Sequence, residues 1–131
     1  MHPLRDRFRV AAVTGTDGKT TTTSLIAAIA DAAGAPAVRV TTLGAFVGDE
    51  RVADPATPGG FDRALEIALE RGARVLALEV TSQALAHGFS RTFPPDVAVM
   101  ASFSRDHLDF HHSREHYLAS KAQLFLSLPA G

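Results

Sequence analysis

The run Gly15-Thr16-Asp17-Gly18-Lys19-Thr20-Thr21-Thr22-Thr23 follows directly on the apolar stretch Val10-Ala11-Ala12-Val13 and leads into a helical pattern. A strand that turns through a glycine-rich loop into a helix is a phosphate-binding arrangement. Small residues let backbone N–H groups approach the phosphates, and the helix N-terminus offers partial positive charge. Lys19 supplies a cation and Thr20 a hydroxyl for Mg²⁺, so the segment points to ATP. The common loop of this kind carries a glycine five positions before Gly18; here that place is Val13, and the first glycine is Gly15. The loop is shorter than usual. Glycine-rich strand-to-helix turns also serve as plain connections, but Gly-Lys-Thr behind an apolar strand argues against that reading.

Beyond the loop, short apolar runs alternate with amphipathic stretches, the pattern of a mostly parallel, doubly wound sheet flanked by helices, and the fold class is α/β. Strands are predicted near 8–14, 36–42, 74–80 and 96–102. Helices are predicted near 19–33, 61–72 and 113–127, with a short one after Thr81. Thr23, Leu25, Ile26, Ile29 and Ala33 would form the apolar stripe of the first helix, and Gly34 its left-handed end. Gly48-Asp49, between Ala-Phe-Val and Arg-Val-Ala, predicts a small hairpin inserted after the second strand, over Leu43 to Ala53.

Composition narrows the function classes. The chain has 131 residues, of which 46% are hydrophobic, enough for one core and one domain. Its net charge of −1, with both signs interspersed, presents no basic face for nucleic acid and no polybasic segment for lipid. There is no cysteine, which excludes disulfides and thiolate chemistry. The first nine residues form neither a signal peptide nor a membrane span, and the expected location is the cytoplasm.

Two further constellations carry chemistry. Leu76-Ala77-Leu78-Glu79 reads as a buried strand ending in an acid, where ligands of parallel sheets gather. Glu79 can complete the coordination of a Mg²⁺ held by Thr20 and ATP, or it can simply cap the helix beginning after Thr81. Ser104-Arg105-Asp106-His107-Leu108-Asp109-Phe110-His111-His112 follows the apolar run Val97 to Met100 and brings polar ligands to the same sheet edge. His107 is the nearest histidine to the strand end. His112 and His116 stand at the i, i+4 spacing of a helical zinc site, but no adjacent acid completes a familiar zinc motif.

Taken together, Gly15 to Thr23, Glu79 to Leu85, and Ser104 to His111 followed by His116-Tyr117-Leu118-Ala119-Ser120-Lys121 resemble the central ATP-binding domain of the Mur ligases. The wording is most similar to the MurE type, which adds the third residue of the peptidoglycan stem peptide. Folylpolyglutamate synthetases share the loop, usually as Gly-Lys-Gly-Ser, and Thr20-Thr21 favours the Mur branch.

The resemblance implies a two-step ligation in which a carboxylate takes the γ-phosphoryl group of ATP and an amine then displaces phosphate. It implies that Gly15, Thr16, Asp17, Gly18, Lys19, Thr20 and Thr21 hold the nucleotide, with Lys19 on the β/γ phosphates. Thr20 and Glu79 would hold one Mg²⁺. His107 and Lys121 would serve a second, with Lys121 carbamylated into an anionic oxygen donor. Thr57, Thr81 and Ser82 would contact the carboxylate substrate, a UDP-muramoyl peptide in the family.

The chain departs from the family at Ala56 (usually Thr), Thr81 (Ser), Gln83 (His), Phe89 (near an expected Arg) and Ser102 (Asn). The acceptor positions therefore match less well than the nucleotide positions. The resemblance further implies a single, incomplete central domain over residues 1–131, without the family's N-terminal UDP-binding and C-terminal domains. Self-association, or those domains supplied in trans, is the matching expectation. Two other readings remain: a non-catalytic nucleotide-binding or assembly module, and a P-loop phosphotransferase acting on a small acid.

Overall fold

The computed structural model describes residues 1–102 and residue 128. Six strands form one sheet: β1 (Arg9–Thr14), β2 (Ala37–Thr41), β3 (Gly44–Val47), β4 (Glu50–Ala53), β5 (Val75–Glu79) and β6 (Val97–Met100). Their order is β4-β3-β2-β5-β1-β6. The four strands β2, β5, β1 and β6 run parallel, and β3 and β4 return antiparallel as the predicted hairpin. The central strands are apolar along nearly their whole length because helices cover both faces.

Register places the chemistry. Val13 lies opposite Glu79, and Thr14 opposite Met100, so the loop leaving β1 emerges between the carboxyl ends of β5 and β6. Three of the four strand ends expected to surround a ligand therefore meet at one place, as parallel topology requires.

Four helices are α1 (Lys19–Ala32), α2 (Gly60–Glu70), α3 (Ser82–Ala86) and α4 (Phe89–Thr92). The larger core lies on the face covered by α2 to α4, where Leu65, Leu76, Leu85 and Phe93 are fully buried. Phe61 and Phe93 meet edge to face at 5.4 Å, and Phe89 stacks on Phe93 at 6.3 Å, each geometry favoured by the ring quadrupoles. At the other end of the sheet, the buried Arg5 ties the N-terminal turn to the entry of β6. Its guanidinium pairs with Asp96 at 3.1 Å and donates to the carbonyls of Phe8 and Pro94.

The other face is covered by α1, and here the expected stripe is corrected in part. Leu25 and Ile29 are 57% and 68% exposed. Thr23 is buried and Ile26 packs inward as expected, while Ala27, outside the expected stripe, forms the contact with Ala37 and Ala77, beside Ala30. Small residues on both sides bring helix and sheet close together, and that closeness leaves the larger side chains on the outer flank. Gly34 ends the helix at φ +81°, as predicted. The short α4 has no counterpart in the sequence expectation. The predicted helix at 113–127 lies outside the described residues.

Candidate phosphate-loop site

The loop between β1 and α1 is held from three directions. Lys19 folds back across it, its ammonium donating to the carbonyls of Gly15 (2.9 Å) and Thr16 (3.0 Å). Ser102, just past β6, accepts from the Asp17 N–H at 2.8 Å and donates to the Asp17 carbonyl at 3.0 Å. The Thr16 N–H donates to the Ser102 carbonyl at 3.2 Å. This approach is so close that a Cβ on Gly15 would lie 2.7 Å from the Ser102 nitrogen. Glycine is required there by contact as well as by a φ of +139°.

Gly18 begins α1 in the left-handed conformation, and no side chain caps the helix. Its first-turn N–H groups thus face the cleft with the positive end of the helix dipole behind them. The Thr20 hydroxyl donates to Glu79 Oε2 at 2.8 Å, across the β1–β5 boundary. The Thr42 N–H, in the turn after β2, donates to the same oxygen at 3.2 Å. Two donors from two elements therefore fix the carboxylate. Within that turn the buried Thr41 hydroxyl accepts from the Leu43 N–H at 3.1 Å and donates to the Gly44 carbonyl at 3.4 Å.

Thr16 to Thr20, Thr42 and Glu79 line a cleft of about 650 Å³ that also includes Thr21, Thr81, Ser82 and Gln83. Thr81 caps α3, its hydroxyl accepting from the Ala84 N–H at 3.1 Å. Ser82 is buried beside it. Thr57 stands apart from the cleft lining. Its hydroxyl donates to the Asp54 carbonyl at 2.7 Å and braces the turn before α2. His107 and Lys121 lie outside the described residues.

The structure thus brings Gly18, Lys19, Thr20, Thr21, Glu79, Thr81 and Ser82 together. It adds Thr41, Thr42 and Ser102, whose parts in the site sequence reasoning missed. For Ser102 a signal existed in its departure from the family's asparagine. For Thr41 and Thr42 there was none, because their role depends on β2 lying beside β5.

A hard divalent cation seeks oxygen donors, and the Thr20 hydroxyl and Glu79 carboxylate supply them. No group of three or more His, Cys, Asp or Glu residues gathers among the described residues. Beyond Thr20 and Glu79, a cation there needs further oxygen donors.

A mostly parallel sheet with a glycine loop at the carboxyl ends of its strands, a loop lysine, and a threonine paired with a strand-end acid defines the class: an α/β domain of the P-loop type. The model of the Mur ligase middle domain matches residues 13–131, and the chain belongs to that family. It is 39% identical over 128 residues to the UDP-N-acetylmuramoyl-L-alanyl-D-glutamate–2,6-diaminopimelate ligase of Geobacter metallireducens, covering 95% of this chain. It is 42% identical over 121 residues to the ligase of the same name from Pseudomonas syringae pv. tomato, covering 90% of this chain. The chain spans about a quarter of the length of these relatives, 25% in each case. A solved structure of a ligase of that name superposes with a TM-score of 0.79 at 31% identity, over 96% of this chain and 26% of that one. The fold is shared with the MurF ligase of Thermotoga maritima, solved in complex with ADP, at a TM-score of 0.65 and 22% identity over 95% of this chain and 27% of that one.

Proposed function

We propose that this chain is the ATP- and Mg²⁺-binding part of a Mur-type ligase that activates a carboxylate for attack by an amine, as in peptidoglycan precursor synthesis. The observation that carries the reading is the Thr20–Glu79 contact at 2.8 Å, set beside an uncapped helix N-terminus and Lys19. Anion-binding and cation-binding groups then face one cleft.

In this reading the backbone from Gly15 to Thr21 cradles the phosphates. Lys19 exchanges its loop carbonyls for the β/γ oxygens, gaining ion pairs with anionic acceptors in place of bonds to two neutral ones. Thr20 and Glu79 hold Mg²⁺, which when bound neutralises phosphate charge. A substrate carboxylate oxygen attacks the γ-phosphorus, the bond to the bridging oxygen breaks, and ADP leaves. The amine then attacks the acyl carbon of the mixed anhydride, phosphate departs with the bonding pair, and the amine gives up a proton.

Thr81 and Ser82, which line the cleft, are proposed to contact the carboxylate substrate. Thr57 would act by shaping the neighbouring turn. His107 and a carbamylated Lys121 are proposed, from the resemblance alone, for a second Mg²⁺. The relatives' names suggest a UDP-muramoyl peptide as acceptor and domains beyond these residues to present it. Consumption of ATP suits the cytoplasm, and among the described residues no helix is long and apolar enough to cross a membrane.

The test is calorimetric titration with a non-hydrolysable ATP analogue, with and without Mg²⁺. Lys19→Ala should lower affinity by about 10- to 100-fold, the loss of a hydrogen bond to a charged group. Glu79→Gln should remove most of the gain that Mg²⁺ brings. Titrations unchanged in both variants would refute the site.

A further inference from the structure

Strands β2 and β5 pair as far as Val40 and Leu78. Past that pair the Thr42 N–H donates to a side chain of β5, Oε2 of Glu79, at 3.2 Å. The same oxygen accepts from the Thr20 hydroxyl at 2.8 Å. The two donors are anchored differently. Thr20 belongs to the first turn of α1, which faces the phosphates in the reading above, whereas Thr42 follows β2 on the sheet side of the cleft. A hydroxyl can rotate its proton and lone pairs as a cation arrives, but a backbone N–H donates in the one direction its turn allows. The Thr42 N–H therefore holds the carboxylate through whatever Thr20 does.

The aim of that N–H depends on the residue before it. Thr41 is 4% exposed, and its hydroxyl accepts from the Leu43 N–H at 3.1 Å and donates to the Gly44 carbonyl at 3.4 Å. A threonine that bonds the backbone two residues on fixes a local turn, and Thr42 lies inside this one. Arg51 of β4 adds an outer brace, its Nε donating to the Leu43 carbonyl at 3.3 Å. Only proline at position 42 would remove the N–H itself, so the side chain on which the contact depends is its neighbour's. We propose that Thr41 is a positioning residue for the Mg²⁺ site: its hydroxyl shapes the turn, the turn aims the Thr42 N–H, and that N–H sets the Glu79 carboxylate for the cation. The inference rests on the metal reading of Thr20 and Glu79 above and deepens it.

The experiment titrates the full chain with a non-hydrolysable ATP analogue, with and without Mg²⁺, in native, Thr41→Val and Thr41→Ser forms, each shown to be folded by thermal melts. Thr41→Val keeps the side-chain shape without the hydroxyl; it should cut the affinity gained from Mg²⁺ by about 3- to 10-fold and leave Mg²⁺-free affinity within about twofold. Thr41→Ser keeps the oxygen and should restore the gain. Hydrogen exchange at the Thr42 amide, followed by NMR without nucleotide, should quicken by about tenfold in Thr41→Val but not in Thr41→Ser. Leu43→Ser changes a side chain that is 67% exposed in the same turn and keeps its N–H, so the native gain should persist. Should Thr41→Val not fold, Thr41→Ala carries the same expectations. Equal losses with and without Mg²⁺, no rescue by serine, unchanged exchange at Thr42, or the same loss in Leu43→Ser would each overturn the role given to Thr41. A native gain kept in full by Thr41→Val sinks this inference alone, whereas a native chain indifferent to Mg²⁺ sinks the metal reading and this inference with it.

Discussion

Substituting Gly15 by alanine tests whether the phosphate loop is shaped by its contact with β6. Two costs add. At φ +139° a residue with a Cβ is strained by about 1–3 kcal/mol. The new methyl would also lie 2.7 Å from the Ser102 nitrogen and 2.9 Å from its carbonyl oxygen, an overpacking worth about 1–3 kcal/mol. The sum, about 2–6 kcal/mol, is a large share of a domain stability of about 5–15 kcal/mol. Gly34 supplies the control. It also has positive φ, at +81°, but a Cβ there meets nothing within 4 Å, so Gly34→Ala carries only the left-handed penalty of about 1–2 kcal/mol. Urea denaturation of the 131-residue chain, followed by circular dichroism, measures both losses. Nucleotide titration of the folded fraction shows whether the loop has moved. Equal losses of stability in the two variants, or native nucleotide affinity in Gly15→Ala, would refute the argument that the Ser102 backbone sets the loop.

Other expectations follow from the same geometry. Ser102→Ala removes both side-chain bonds to Asp17 and should weaken nucleotide binding by about 1–3 kcal/mol, roughly 5- to 150-fold, with a smaller effect on unfolding. Native affinity in that variant would mean that the Thr16 and Lys19 contacts suffice to hold the loop. Leu65→Ala, at a fully buried position, should cost about 2–5 kcal/mol of unfolding free energy, whereas Ile29→Ser, on the exposed flank of α1, should stay within about 0.5 kcal/mol. A large loss from Ile29→Ser would restore the stripe drawn from the sequence.

How much was legible depended on whether the signal was local. The loop from Gly15 to Thr21, the strand ending at Glu79 and the Gly48-Asp49 hairpin turn each carry their chemistry in a few adjacent residues, and all appeared where expected. The α1 stripe held at Thr23 and Ile26 but failed at Leu25 and Ile29, because hydrophobic periodicity weighs residues by size. The helix packs through Ala27 and Ala30, whose value lies in being small beside Ala37 and Ala77. The four residues of α4 are too few to show a period. At the site, Thr42 and Glu79 are 37 residues apart, and Asp17 and Ser102 are 85 apart. Only strand order makes them neighbours, and the sequence names the strands without ordering them. Phe89 could be noted as a departure, but its place on an apolar wall required the packing of α3 and α4 against the sheet.

The two margins of the sheet differ in a way that governs its growth. On β4, Glu50 pairs with Arg71 and Arg51 with Asp54, so the outer strand of the hairpin carries charges of both signs. Such charges discourage another strand from adding to an open edge. On the opposite margin β6 reads Val-Ala-Val-Met, with Val97 exposed and, among the described strands, a neighbour on one side only. Its outward backbone groups offer an uncharged template. Of the two margins of the described sheet, the β6 side is thereby the one without charges to discourage a further strand, next to the strand end that grips the loop.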